Sequence, residues 1–138
     1  ITINSLNVYA VQSKGKPFGA HYRLQRYIHN QGVTGEAEIA DIVRGAYAMF
    51  GLHINTADIT DAEVLADQRK IHDSDKVIRD AHGEVAGRVP QSGFTHLDFV
   101  SENRLNEAMP MAVSDFRLKL NFTSTGNNSI YAESIQGR

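Results

Sequence analysis

The segment that most constrains the fold is Val113–Thr123, in which apolar and polar side chains alternate. One parity carries the apolar residues Phe116, Leu118, Leu120 and Phe122, and the other carries Asp115, Arg117, Lys119 and Asn121. Because successive side chains of a strand point to opposite faces, this period predicts a strand with one buried face and one wet face. The C-terminal third is therefore predicted to be antiparallel sheet that packs one face on a core.

The composition sets broad limits on the class of protein. With 41% hydrophobic and 22% charged residues, we expect residues 1–138 to form a single globular domain, on its own or as part of a longer protein or assembly. A formal net charge of −2 gives no electrostatic reason to expect nucleic-acid binding. No apolar run approaches the roughly 18 residues of a membrane span. The absence of cysteine excludes disulfides and thiolate metal sites.

Helical spacing of apolar residues predicts a helical excursion in residues 19–72. A short helix is predicted at Gly19–Asn30 and a weaker one from Thr60 toward Ile71. The clearest helix is predicted over residues 35–50, between a capping Thr34 and a terminating Gly51. Its apolar stripe comprises Ile39, Ile42, Val43, Ala46, Met49 and Phe50.

The rest of the chain is predicted to be mostly extended. Strands are predicted at Ile1–Val11, Lys76–Ile78, Phe94–Val100, Val113–Thr123 and Ile130–Ile135. The glycines and proline of residues 80–92 predict an irregular connection between a helix-rich half and a strand-rich half. These elements together predict an α+β fold, in which an antiparallel β-sandwich carries the helical excursion.

Two groups of residues suggest a metal site. The denser group comprises His72, Asp73, Asp75, Asp80 and His82, and the other is the pair His96 and Asp98, which would share one face of a strand. Imidazole and carboxylate ligands suit zinc, iron or manganese, and a metal hydrolase would use them to ionise a water. Neither spacing matches a closed motif, so a solvated polar segment and the wet face of a strand explain them better.

A basic and aromatic set near the N-terminus allows a nucleic-acid hypothesis. It comprises Lys14, Lys16, Tyr22, Arg23, Arg26 and Tyr27. Basic side chains neutralise phosphates and aromatic rings stack on bases. The acidic residues Glu36, Glu38 and Asp41 follow closely, so a solvated face is the better interpretation.

The order of segments in the C-terminal part resembles a known family. The segments are Gly93–Phe99, a polar connection with Arg104–Ala108, Val113–Leu120 and Ile130–Glu133, and near the N-terminus Leu6–Phe18 with its Lys14-Gly15-Lys16 turn. Over about 60 residues this order is similar to the jelly-roll capsid proteins of tailless icosahedral bacteriophages, the double jelly-roll lineage that includes adenoviruses.

The resemblance implies a structural role in a virion. It implies a jelly-roll-like sandwich that self-assembles into a shell or associates with other virion proteins. It also implies that the chain has no catalytic residues, cofactor or small-molecule substrate. Two alternatives stay open at the level of sequence: a small metal-dependent hydrolase that uses His72 to His82 or His96 and Asp98, and a generic α+β binding module.

Overall fold

The computed structural model describes residues 19–137. The strand predicted at Ile1–Val11 and the Lys14-Gly15-Lys16 turn lie outside the described residues. Within them, the strands are β1 (His21–Gln31), β2 (Gly35–Ile39), β3 (Ala48–Ile54), β4 (Ile59–Ala66), β5 (Arg69–Asp75), β6 (Thr95–Asp98), β7 (Met109–Pro110), β8 (Phe116–Phe122) and β9 (Gly126–Gln136). One helix, α1 (Lys76–Val85), follows β5, and a 3₁₀ turn spans Leu105–Glu107.

The strands form two antiparallel sheets that face each other. The order is β1-β9-β3-β6 in sheet A and β2-β8-β4-β5 in sheet B, and the short β7 adds to β3. The pairing is nested: β1 joins β9, β2 joins β8, β3 joins β6 and β4 joins β5. A long hairpin rolled up in this way across two sheets is a jelly roll.

The alternating strand predicted at Val113–Thr123 is confirmed as β8. Its four apolar side chains, Phe116, Leu118, Leu120 and Phe122, are all at most 2% exposed, whereas Arg117 is exposed and Lys119 half-buried. These side chains meet Met49, Leu52 and Ile130 of sheet A in the core between the sheets. The predicted strands at Phe94–Val100 and Ile130–Ile135 are likewise present as β6 and β9.

The helix predicted at Gly19–Asn30 is wrong, because this segment is the edge strand β1. It pairs with β9 along its whole length, from His21 with Gln136 to Gln31 with Gly126. Apolar residues occur on both faces of the strand: Tyr27 packs on the core, and Leu24 points outward. Since both parities carry apolar side chains, the period of two is hidden and a helical spacing arises by coincidence.

The helix predicted over residues 35–50 is also wrong. Its apolar stripe combines the end of β2, a loop at residues 40–47 and the start of β3. Ile39, Ile42 and Met49 are buried, but Val43 is 49% exposed, so the stripe does not face the core as one surface. Pairing of β2 with β8 and of β3 with β9 satisfies the backbone polar groups, which outweighs local helix propensity.

The helix predicted from Thr60 toward Ile71 is replaced by the hairpin of β4 and β5. Asp67 and Gln68 form its two-residue turn with φ of 47° and 63°. This left-handed pair is typical of a tight hairpin, but the sequence lacks the glycine that normally reveals it. The Asp67 carboxylate also accepts hydrogen bonds from the backbone N–H of Ser114 (2.7 Å) and Asp115 (3.0 Å), which ties the turn to the start of β8.

The strand predicted at Lys76–Ile78 is wrong, because these residues begin α1. Asp75 caps the helix by accepting a 2.8 Å hydrogen bond from the Ile78 N–H. The helix therefore lies in the connection between sheets and not in residues 19–72, and the predicted α+β excursion is corrected to an antiparallel sandwich with one short helix. Nowhere in residues 19–137 is a helix long and apolar enough to cross a membrane.

Candidate functional site

A cleft lies where α1 and its following connection, residues 86–94, approach strand β6. It has a volume of about 590 Å³. Side chains from both sequence-predicted groups line it, namely His72, Asp80, His82, His96 and Asp98. His53 of β3 and Glu133 of β9 join them. The fold therefore brings members of both predicted groups to one cleft, although Asp73 and Asp75 do not line it. The polar contacts decide what these side chains can do there.

A hydrogen-bonded histidine pair forms the centre of the cleft wall. The β3–β6 register places His53 opposite His96 on the outer face of sheet A, and their Nδ1 atoms are 2.8 Å apart. His96 Nε2 accepts a hydrogen bond from the Gln91 backbone N–H at 3.3 Å. On the other side, His53 Nε2 lies 3.5 Å from Glu133 Oε1. Both rings are therefore engaged at both nitrogens.

The pKa of His96 is lowered from its ordinary value. Burial of the ring is the largest cause, and the adjacent His53 adds to it, whereas the carboxylates of Asp80, Glu133 and Asp98 act in the opposite direction. The neutral imidazole is thus favoured in the folded protein.

Asp98, the second member of the predicted strand pair, has a separate partner. Its Oδ2 accepts a 2.8 Å hydrogen bond from Arg88 Nε, and Arg88 also donates to the Val100 carbonyl at 2.9 Å. His96 and Asp98 share a face as predicted, but they contact different groups. The pair holds the connection between α1 and β6 against the sheet instead of converging on one position.

The predicted group at residues 72–82 is divided in the same way. Asp73 pairs with Lys70, Asp80 pairs with Lys76, and Asp75 caps α1. His72 Nε2 lies 2.7 Å from Ser74 Oγ, and burial, followed by the nearby charges of Arg79 and His82, lowers the pKa of His72. Among residues 19–137, no three histidine, aspartate or glutamate side chains are arranged to hold a metal ion.

Arg79 anchors α1 beneath the cleft. This side chain is 7% exposed and donates to the Ser74 carbonyl at 3.2 Å and the Ile59 carbonyl at 3.0 Å. Its Nε has no hydrogen-bond partner in the described part of the chain, and burial lowers the pKa of the guanidinium. The helix is thus attached to sheet B through a polar contact instead of an apolar face.

As a consequence, α1 exposes its apolar side. Val77, Ala81 and Val85 follow one another at a spacing of four, with Ile78 beside them, and all are exposed. Val77, Ile78 and Val85 are between 60% and 88% exposed. We call this surface the α1 stripe.

A second exposed apolar surface lies on β1, at the opposite edge of sheet A from β6. Tyr22, Leu24 and Ile28 point outward from this strand and are between 57% and 63% exposed. We call them the β1 stripe. Larger contiguous apolar surfaces of this kind commonly mark contacts with other macromolecules.

The basic and aromatic set predicted near the N-terminus does not form one patch. In β1, Arg23 lies 5.9 Å from the centre of the Tyr47 ring, and Tyr27 packs against the core. Tyr22 and Arg26, of opposite parity, point outward. The set is thus split between the two faces of a strand, and its Lys14 and Lys16 lie outside the described residues.

Comparison with known proteins identifies the family. The model of the family "Viral coat protein P2 C-terminal domain" matches residues 22–138. The chain belongs to this viral coat protein family. It is accordingly a structural component of a viral capsid, and its location is the virion. A search of curated protein sequences gives no match.

Solved structures show the same fold in this coat protein domain. The major capsid protein P2 from bacteriophage PM2 is similar with a TM-score of 0.81 and 22% identity, over 87% of this chain and 46% of that one. The STIV MCP is similar with a TM-score of 0.67 and 12% identity, over 85% of this chain and 41% of that one. The chain thus spans less than half the length of either protein.

Sequence reasoning missed His53, Glu133, Arg88 and Gln91 as members of the cleft. The local pattern of residues 53–59 indicates either a loop or a short extended piece, so the position of His53 opposite His96 is not accessible from the sequence. Once two strands are aligned with Leu52 opposite Leu97, the next residue on β3 necessarily faces His96. The missing information was the strand pairing.

Proposed function

We propose that the coat protein domain is a wall-forming subunit of a shell, that it packs against neighbouring copies of the coat protein, and that it catalyses no reaction. The single observation that carries this proposal is the pair of exposed apolar stripes at opposite edges of the sandwich, on a domain of a coat protein family. We also propose that residues 1–138 fold as a single domain within a longer coat protein.

The positions of the stripes suit a head-to-tail contact between copies. The α1 stripe lies beside β5 and β6, and the β1 stripe lies at the far edge of sheet A. A contact between two different surfaces of identical chains is heterologous, and it generates a ring when the rotation closes. One pair of charges is complementary, because Arg26 lies between Leu24 and Ile28 and Glu84 flanks the α1 stripe, whereas Asp80 beside it is already paired with Lys76.

The polar groups of the cleft support the absence of catalysis. An enzyme needs titratable groups that converge on a reacting atom. Here the carboxylates of Asp75, Asp80 and Asp98 cap a helix or pair with basic side chains. His53 and His96 hydrogen-bond to each other, and His72 hydrogen-bonds to Ser74. These contacts build the fold around the cleft.

Assembly can be tested by light scattering on purified chain across a concentration series. We expect the unmodified chain to form oligomers, and two variants, V77S/V85S on α1 and L24T/I28T on β1, each to remain monomeric. Val33, which is 72% exposed in the turn before β2 and outside both stripes, supplies the control V33S, which should assemble normally. A chain that stays monomeric at every concentration, or stripe variants that assemble like V33S, would contradict the proposed contact.

A further inference from the structure

The hydrogen bonds of the histidine pair allow only one arrangement of protons. Gln91 donates its backbone N–H to His96 Nε2, so that nitrogen carries no proton. Neutral His96 must then carry its proton on Nδ1 and donate it to His53 Nδ1, 2.8 Å away. His53 therefore carries its proton on Nε2, which faces Glu133 Oε1 at 3.5 Å. The hydrogen bonds therefore all run in one direction, from the Gln91 N–H through His96 and His53 to the Glu133 carboxylate on β9.

One added proton cannot be accommodated in this arrangement. If His96 takes the added proton at Nε2, this N–H faces the Gln91 backbone N–H, and the hydrogen bond from Gln91 is lost. If His53 takes it at Nδ1, His96 can keep the bond between the rings only by moving its own proton to Nε2, which again loses Gln91. The remaining singly protonated state keeps the Gln91 bond only by placing two N–H groups against each other between the rings, so every singly protonated state that keeps the bond between the rings loses the bond from Gln91.

We propose that the histidine pair is a proton-sensitive latch. It holds Gln91, in the connection of residues 86–94, against the outer face of sheet A while both rings are neutral. It releases Gln91 when the pair takes up one proton. The proposal does not depend on shell assembly, because all of its contacts lie within one chain.

The charged groups around the pair are Glu133 of β9, Asp98 of β6, Asp80 of α1 and Arg88 of the connection. Tyr131 of β9 lies opposite His53, and Tyr22 of β1 faces the Glu133 carboxylate. Burial, followed by that carboxylate, raises the pKa of Tyr22 to about 12, so Tyr22 stays neutral through the acid range. The carboxylates favour an added proton, and burial of His96 opposes it.

The connection has a second attachment that acid leaves in place. Arg88 bonds to Asp98 and to the Val100 carbonyl, and its backbone N–H donates to the Gly83 carbonyl at 2.8 Å. None of these contacts involves a histidine. Release is therefore confined to the part of the connection beyond Arg88.

This confinement gives an internal control for hydrogen exchange on the unmodified chain. Between pH 7.5 and pH 5, we expect the protection factor of the Gln91 amide to fall by about tenfold or more, since uptake of one proton changes a population by up to about tenfold per pH unit. The protection factor of the Arg88 amide should not change. Equal loss at both amides would indicate local unfolding of the connection, and unchanged protection of Gln91 would show no coupling; either result overturns the latch.

Nitrogen-15 NMR of the imidazoles tests the proton arrangement directly. At pH 7.5 we expect His96 to carry its proton on Nδ1 and His53 on Nε2, and a proton on His96 Nε2 would overturn the proposal. The variant H96F keeps the ring that stacks on Phe94 at 6.0 Å and removes both nitrogens. In H96F, the Gln91 amide should be as unprotected at pH 7.5 as it is in the unmodified chain at pH 5.

Discussion

At the scale of single residues, the two faces of β8 have very different energetic weight. Leu118 is fully buried between the sheets, whereas Lys119 on the opposite face is half-buried and makes a 3.6 Å ion pair with Glu63. We expect Leu118→Ala to cost about 2–5 kcal/mol, because it removes apolar contacts and leaves a cavity. Lys119→Ala should cost less than about 0.5 kcal/mol. Urea denaturation of both variants measures the difference, and equal costs would mean that both faces of β8 are covered.

Gly51 is the residue at which β3 can approach β6 closely. A Cβ atom built there would lie 2.9 Å from the Leu97 carbonyl oxygen, which is backbone and cannot rotate away. We therefore expect Gly51→Ala to destabilise the protein by about 1–3 kcal/mol through overpacking. Gly32→Ala is the matched control, since its Cβ would meet nothing within 4 Å. Thermal unfolding of the two variants should differ, and a Gly51→Ala variant as stable as Gly32→Ala would show that the strands can separate at no cost.

At the scale of elements, α1 depends on its first residues more than on its packing. The side chain of Asp75 supplies the N-cap, and Arg79 is its buried anchor, while the apolar stripe contributes nothing to the core. Asp75→Ala should therefore cost about 1 kcal/mol. Asp73→Ala, which removes an exposed ion pair with Lys70, should cost no more than a few tenths. Hydrogen exchange of the α1 amides should increase in the first variant and not in the second.

The same helix shows why element assignment from sequence was unreliable here. A period of about four in Val77, Ala81 and Val85 is a helical signal, but the prediction assigned a strand at its start and an irregular segment to the rest. In residues 35–50, by contrast, a helical spacing came from three separate pieces of chain. The period of a sequence shows how its apolar side chains are spaced. It predicts which side chains are buried only when the apolar face is the face that packs on the core.

At the scale of the whole molecule, stability should fall on acidification through the buried histidines. His72 and His96 both have a pKa lowered below the ordinary value of 6.5, chiefly by burial. The unfolded chain therefore binds more protons than the folded chain below pH 6.5, and the stabilisation present above that pH is lost as the pH falls through the lowered values. Carboxylates titrate mainly below pH 5, so the window from pH 7 to pH 5 reports the histidines.

Melting temperatures across this window provide the measurement. The unmodified protein should melt at progressively lower temperature from pH 7 to pH 5, and the double variant H72N/H96N should show a flatter profile. If the two profiles are parallel, these histidines do not account for the acid sensitivity.

Local patterning by itself determined which face of one strand is buried, because a half-buried strand carries its apolar residues at one parity. This face comprises Phe116, Leu118, Leu120 and Phe122. It also determined that His96 and Asp98 share a face, and the order of C-terminal strands sufficed for the resemblance to capsid proteins. Only the tertiary structure decided that β1 to β5 are strands, since their backbone groups are satisfied by partners as distant as β9. The histidine pair has the same origin: His53 and His96 are 43 residues apart, and strand register alone brings their rings together.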